Sequence, residues 1–366
     1  MKKRILVIGR DSTAMDESSQ FSKRISEYAT HHDFTFVVMN EGVRQERTVQ
    51  GTRVIVPGGK TLVSAFLKTL WEGQRQLKSE SYDLITTQDV LYAGLVGYVL
   101  SRLFKKPLFV QVHGDYLGNE RWFKSNVGRF NRLMNPVGEY VLKRAEQVRV
   151  VSGRLRADFI TRYQLAPERV ISIPIGTDLT VFRPSGEEAR APQIFFAQRL
   201  IPEKCPRLFA EVAASVMKEL PTVTTTIAGD GFMKEELSSY FNQEGVGERV
   251  TFLGAVPHAD LVRLYQTSKV YLHTADWEGW GMPMIEAMAA GCPVVTTDTG
   301  CAGEAVRHEE TGLVTAINDK EALIRETKRL LTDEILWNRL STNGIGEAHE
   351  WSFATLTNKN MEWYGQ

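Results

Sequence analysis

The sequence predicts an α/β protein of two Rossmann-like halves, each a parallel sheet, with a central cleft between them. Short apolar runs alternate with amphipathic helical segments, which marks parallel strands covered by helices on both faces. The alternation stops at residues 174–184, PIGTDLTVFRP, where two prolines and a glycine interrupt it, and then begins again. At 366 residues the chain is long enough for two separate cores.

In the first half, 4–9 reads as a strand and RDSTAMDESSQ as a polar loop before a helix near 21–30. Further strands fall at 34–39, 53–56, 84–87, 108–112, 148–151 and 170–173, with helices near 62–77, 90–104, 130–144 and 153–163. Strands of the second half fall at 194–197, 223–228, 250–253, 270–273, 294–296 and 312–314. The aromatic residues of 351–364 suit a helix packed on something rather than a loose tail. Domain limits of 1–175, 176–349 and a closing helix at 350–366 follow.

With 43% hydrophobic and 24% charged residues, the composition is that of an ordinary globular protein. The 44 basic and 44 acidic residues cancel, which argues against general nucleic-acid binding. Between 101 and 163, however, 13 Lys or Arg face 5 Asp or Glu, a local excess of about +8. Three cysteines with no C-x-x-C pair fit a reduced compartment, and Cys205 reads as a small packing residue. The apolar run of MKKRILVIG is too short for a signal peptide, and no run approaches a membrane span, so a cytoplasmic protein is expected. The segment 119–144 interleaves Trp122, Phe123 and Phe130 with Arg121, Lys124 and Arg129. It suits either peripheral contact with an anionic membrane or an ordinary covering helix with a solvated basic edge.

The stretch richest in chemistry is 273–300, HTADWEGWGMPMIEAMAAGCPVVTTDTG. Pro283 has no N–H and a preset φ, so it suits the first turn of a helix, placing Glu278 on the preceding loop and Glu286 about one turn inside. Free N–H groups and the positive dipole end at the helix start favour a ligand with an anionic middle. An ionised carboxylate only accepts hydrogen bonds, which suits the paired hydroxyls of a sugar. The plainer reading, a dipole-favoured Glu286 and a solvated Glu278, stays open on these residues alone.

Glu278 and Glu286, set in EGWGMPMIEAMAAGCPVV, resemble the signature of retaining nucleotide-sugar glycosyltransferases of family four, which have the GT-B fold. The resemblance implies transfer of a sugar from a nucleoside diphosphate donor to an acceptor hydroxyl, with neither cofactor nor metal, and no Asp-x-Asp is present. It implies that Arg199 and Lys204, in IFFAQRLIPEKCP, bind the diphosphate and that Glu286 binds the ribose. Glu278 would hold the sugar, with the N–H groups of Trp280, Gly281 and Met282 near sugar and phosphate. Gly229 and Asp230, in the IAGDG turn, and Val256, in FLGAVP, would lie near the nucleoside, with Asp230 also able to cap the next helix. In GCAGE, Glu304 would either cap a helix or touch ligand. His113, after the strand VQVHGD, would reach the donor sugar across the cleft, and the last helix would cross back to the first domain.

Where the family commonly has a glycine-rich loop, this chain has Gly9-Arg10-Asp11-Ser12, so Asp11 and Asp89 are the candidate acceptor contacts. The acceptor is expected to be a sugar, glycolipid or polysaccharide of a bacterial surface. A nucleotide-sugar epimerase or hydrolase, or a non-catalytic binder, remain the alternatives. Gly58-Gly59-Lys60-Thr61 resembles the end of a P-loop, but the required earlier glycine would fall at Val54, so a turn into a helix is expected.

Overall fold

The computed structural model describes the chain except residues 1, 12, 18, 115–116, 118–127 and 187–189; the side chains of 20, 128–133, 192 and 259 are also outside the description. Of the basic aromatic segment 119–144, residues 119–127 and the side chains of 128–133 therefore lie outside the described residues. The chain divides into two compact units, Met1–Ile173 with Thr357–Gln366, and Pro174–Leu356.

The first unit is an eight-stranded sheet of β1 (Arg4–Gly9), β2 (Asp33–Val38), β3 (Gln45–Val49), β4 (Thr52–Val56), β5 (Leu84–Thr87), β6 (Leu108–Val112), β7 (Gln147–Val150) and β8 (Val170–Ser172). Their order is β3-β4-β2-β1-β5-β6-β7-β8. All neighbours are parallel except β3, which runs antiparallel to β4 at the edge. The central strands β5 and β6 are buried throughout, as expected where helices cover both faces. β3 has no apolar run: its residues QERTV are exposed or half-exposed, so it carries no signal of a buried strand.

Thr61 caps the helix Leu62–Ser79, its hydroxyl accepting from Ser64 N while the Ser64 hydroxyl accepts from Thr61 N. The GGKT stretch is thus a turn and helix cap. Asp89 similarly accepts from the N–H groups of Leu91 (2.8 Å) and Ala93 (3.1 Å) at the start of the helix Tyr92–Phe104. The helix Phe353–Gly365 joins this unit from Thr357 onward. There the buried Trp363 ring lies 5.0 Å from Phe109, and the Tyr364 hydroxyl accepts from Gln111 Nε2 at 2.8 Å.

The second unit is an all-parallel sheet of β9 (Ala191–Ala197), β10 (Thr224–Ala228), β11 (Val250–Gly254), β12 (Ser268–His273), β13 (Val294–Thr297) and β14 (Leu313–Thr315). Its order, β11-β10-β9-β12-β13-β14, is 3-2-1-4-5-6 when counted within the unit. This doubly wound order reverses direction between β9 and β12, and ligands of such sheets bind beyond the carboxyl ends of the strands at that point. The core beneath includes Ile194, Phe196, Phe209, Val270, Leu272 and Leu313. Each such side chain contributes about 1.5–3 kcal/mol by leaving water.

Two capping expectations fail. The helix Lys234–Gln243 starts at Met233 without a side-chain cap, because Asp230 turns back to accept from Gly231 N at 2.8 Å. No helix follows Glu304; residues 301–307 form consecutive turns in which Glu304 N donates to Cys301 O at 3.1 Å.

Candidate active site in the second unit

Five loops leave the carboxyl ends of β9, β10, β11, β12 and β13, and the predicted residues of this unit lie on these loops or in the first turns of the helix that follows β12. After β9 come Gln198 and the exposed Arg199, then a 3-10 turn, Pro202–Lys204, before the helix Pro206–Glu219. Cys205 joins turn and helix at φ +46. Its carbonyl, at 3.1 Å, accepts from the Thr274 hydroxyl beyond β12, which ties the two switch-point loops together. Across the same gap Lys204 Nζ forms an ion pair with Glu278 Oε1, both side chains being largely buried.

The glycine turn after β10 fits against the β9 loop. Gly229 has φ +150, and a Cβ there would overlap the carbonyl oxygen of Gln198; a Cβ on Gly231 would overlap that of Leu200. Only glycine allows this approach without strain. Gly229 N donates to Gly254 O at 2.7 Å, which brings the turn after β11, with the half-buried Val256, beside the exposed Asp230.

Beyond β12, Gly281 (φ +90) turns the chain into the helix Met282–Ala289. Met284 N already donates to Gly281 O at 2.9 Å, and among the described residues no acceptor meets the N–H groups of Trp280, Gly281 and Met282. Trp280 is buried, its ring 4.7 Å from Trp351, and its carbonyl accepts from Cys301 N at 2.7 Å. Gly300, at φ +57, permits that close turn, where a Cβ would overlap the Trp280 carbonyl.

Glu278, its side chain 13% exposed, is not the solvated loop residue of the plainer reading, and Glu286 is only 4% exposed. A buried carboxylate must be hydrogen-bonded to remain charged at low cost. Its Oε1 lies 2.8 Å from His258 Nε2, and its Oε2 accepts from the Tyr265 hydroxyl at 3.3 Å. Burial first, and then the Glu286 charge, raise the Tyr265 pKa well above its ordinary value, so the hydroxyl stays a donor. Phe182 backs the pair, its ring 4.8 Å from that of His258. His273, at the end of β12, is fully buried with Nδ1 against Gln198 Nε2; burial, aided by Lys204, lowers its pKa to about 3.

In the first unit, His113 directly follows β6, and its Nδ1 is buried with no hydrogen-bond partner among the described residues. Burial, then the charges of Arg149 and Arg24, lower its pKa to about 3, so the imidazole is neutral. Asp11 accepts from Thr13 N at 2.9 Å and pairs with Arg24 at 3.5 Å. Asp89 is held by the helix start it caps, and burial raises its pKa. Both acids thus already serve local structure.

His258, Tyr265, Gln198 and Trp351 were not among the predicted site residues. A histidine opening a helix directly after FLGAVP was a usable signal for His258. Tyr265, Gln198 and Trp351 join the site through partners 21, 75 and about 70 positions away, a distance no local pattern spans.

Residues 179–346 match the family model described as glycosyl transferases group 1, and residues 25–181 match that described as Glycosyltransferase Family 4. The chain belongs to the family-four type of glycosyltransferases. A similar curated relative is a D-inositol 3-phosphate glycosyltransferase of Corynebacterium efficiens, 24% identical over 330 residues, covering 84% of this chain and 76% of the relative. Among solved structures, the glycosyltransferase is similar to a sucrose-phosphate synthase from Thermosynechococcus elongatus, with TM-score 0.80, 22% identity, and coverage of 100% and 99% of the two chains. Anabaena HepE, crystallised with UDP-glucose, has TM-score 0.78 and 20% identity, with 99% of each chain covered. The fold of the glycosyltransferase is therefore GT-B, two parallel-sheet α/β domains.

Proposed function

We propose that this glycosyltransferase is a retaining enzyme that moves a sugar from a nucleoside diphosphate donor to an acceptor hydroxyl of a glycan or glycolipid, without a metal. The observation that carries the reading is the Lys204–Glu278 ion pair at the β9–β12 switch point, beside the unpartnered N–H groups of Trp280, Gly281 and Met282. That ion pair exchanges when donor binds. Lys204 turns to the diphosphate together with Arg199 and the helix start, and Glu278 accepts from hydroxyls of the sugar. Glu286, kept in place by Tyr265, accepts from the ribose diol, and the base lies along the backbone near Val256.

As the sugar–phosphate bond breaks, its electron pair leaves on the phosphate oxygen, where Lys204, Arg199 and the helix dipole neutralise the growing charge. The acceptor oxygen forms the new bond on the same face of the sugar, and its proton passes to that departing phosphate oxygen. Glu278 orients the sugar without forming a covalent bond to it. HepE, of the same fold, holds UDP-glucose, which supports a uridine diphosphate sugar as the donor class.

Incubation with a panel of UDP- and GDP-sugars and glycan or lipid acceptors tests this, with the product anomer read by NMR. Transfer with retained configuration, unaffected by chelator, is expected. Arg199→Ala, Lys204→Ala and Glu278→Ala should each lose roughly 10²-fold or more in kcat/KM. Inverted product, equally fast sugar release or epimerisation without acceptor, or near wild-type rates in these variants would overturn the assignment.

A further inference from the structure

The helix Leu62–Ser79 is amphipathic in an unusual way. Its inner face buries Ala65, Thr69, Gly73 and Leu77, as a covering helix should. Yet Val63, Leu67 and Trp71 are 69%, 57% and 59% exposed. Four-residue spacing puts these three in one line along the helix surface. They lie apart from the unit's core, so packing does not account for them.

The exposed charges on the helix itself are cations, while Glu80, just past its end, pairs with Arg4 at 3.4 Å and Arg53 at 3.3 Å. Lys60, Lys68, Arg75 and Lys78 are exposed on or beside this helix. The only acid between 59 and 79, Glu72, is fully buried and engaged by Gln76 at 2.7 Å, Arg75 at 3.6 Å and Arg44 at 3.7 Å. The helix Tyr92–Phe104 packs closely alongside, Leu100 occupying the space a Cβ on Gly73 would need. It ends in the exposed Arg102, Leu103 and Lys105, and residues 98–107 contain no acid.

A line of Val, Leu and Trp whose exposed charged neighbours on the helix are cations matches the boundary of a bilayer with anionic headgroups, where the rings and aliphatic chains enter the acyl edge and ammonium and guanidinium groups meet phosphates. A second copy docked on the same face would set cation against cation. We propose that the helix Leu62–Ser79 seats the first unit on an anionic lipid surface, with Val63, Leu67 and Trp71 inserted and Lys60, Lys68, Arg75 and Lys78 on the headgroups. The helix lies in the interface; among the described residues no helix is long and apolar enough to cross a membrane. This seat is independent of the donor-site assignment.

The test is co-sedimentation of the full chain with vesicles of phosphatidylcholine alone or of equimolar phosphatidylcholine and phosphatidylglycerol. Wild type should partition onto the anionic vesicles and be released as salt rises. The double variants Leu67→Ser/Trp71→Ser and Lys68→Glu/Lys78→Glu should each lose about tenfold in partition at unchanged Tm, since all four sites are exposed. The proposal fails if both variants bind like wild type or if wild type ignores the anionic vesicles. It also fails if light scattering shows a dimer that Leu67→Ser/Trp71→Ser converts to a monomer.

Discussion

His273 shows what the switch point asks of single residues. Its ring is wholly buried against Gln198, with Lys204 nearby, and its pKa is lowered to about 3. In the unfolded chain the same group takes a proton near the ordinary histidine value of 6.5. Between those values the unfolded state binds more protons, so the contribution is full above pH 6.5 and is lost as pH falls, by about 1.4 kcal/mol per pH unit. In urea unfolding, wild type should therefore lose stability from pH 6.5 to 5 more steeply than His273→Asn, by about that slope. Parallel pH profiles would show that the ring is protonated in the fold. The family resemblance of their sequence settings singled out Glu278, Glu286 and Lys204 as candidates. The Lys204–Glu278 pairing was not, because 74 positions separate the partners and only strand order makes them neighbours.

Elements were legible where burial imposes a pattern. The inner parallel strands read as apolar runs because both faces are covered, and β3 escaped because its edge position leaves polar side chains in water. Turn chemistry was legible in part. The glycine turn at 229–231 suggests close backbone approach to a ligand, and the structure uses Gly229 and Gly231 for close approach to the Gln198 and Leu200 carbonyls, whereas Asp230, a possible helix cap by sequence, instead folds onto Gly231. The same glycines yield a prediction about the β9 and β10 loops. Gly229→Ala puts a Cβ onto the Gln198 carbonyl at φ +150 and should cost about 1–3 kcal/mol, while weakening UDP binding by shifting residues 198–200. Gly346→Ala, on an exposed helix position with open space around it, should instead gain about 0.5–1 kcal/mol. Chemical denaturation with a UDP titration checks both, and a neutral Gly229→Ala would show that the tight loop contact does not exist.

Across the whole molecule, the two sheets follow one plan, and the chain's end returns to where it began. Trp363 and Tyr364 bury against Phe109 and Gln111, so the last ten residues complete the first unit's core. Their aromatic content was the signal that this segment packs on something. The doubly wound order of the second unit leaves Lys204, Glu278 and the start of the helix Met282–Ala289 at one carboxyl edge, and that arrangement is the basis for assigning a donor site there. A crystal structure of the chain with UDP tests this most directly. The account predicts the pyrophosphate within hydrogen-bond reach of Lys204 Nζ and the Gly281 or Met282 N–H, the ribose hydroxyls on Glu286, and the Lys204–Glu278 pair opened. A nucleotide bound elsewhere, with that ion pair intact, would contradict it.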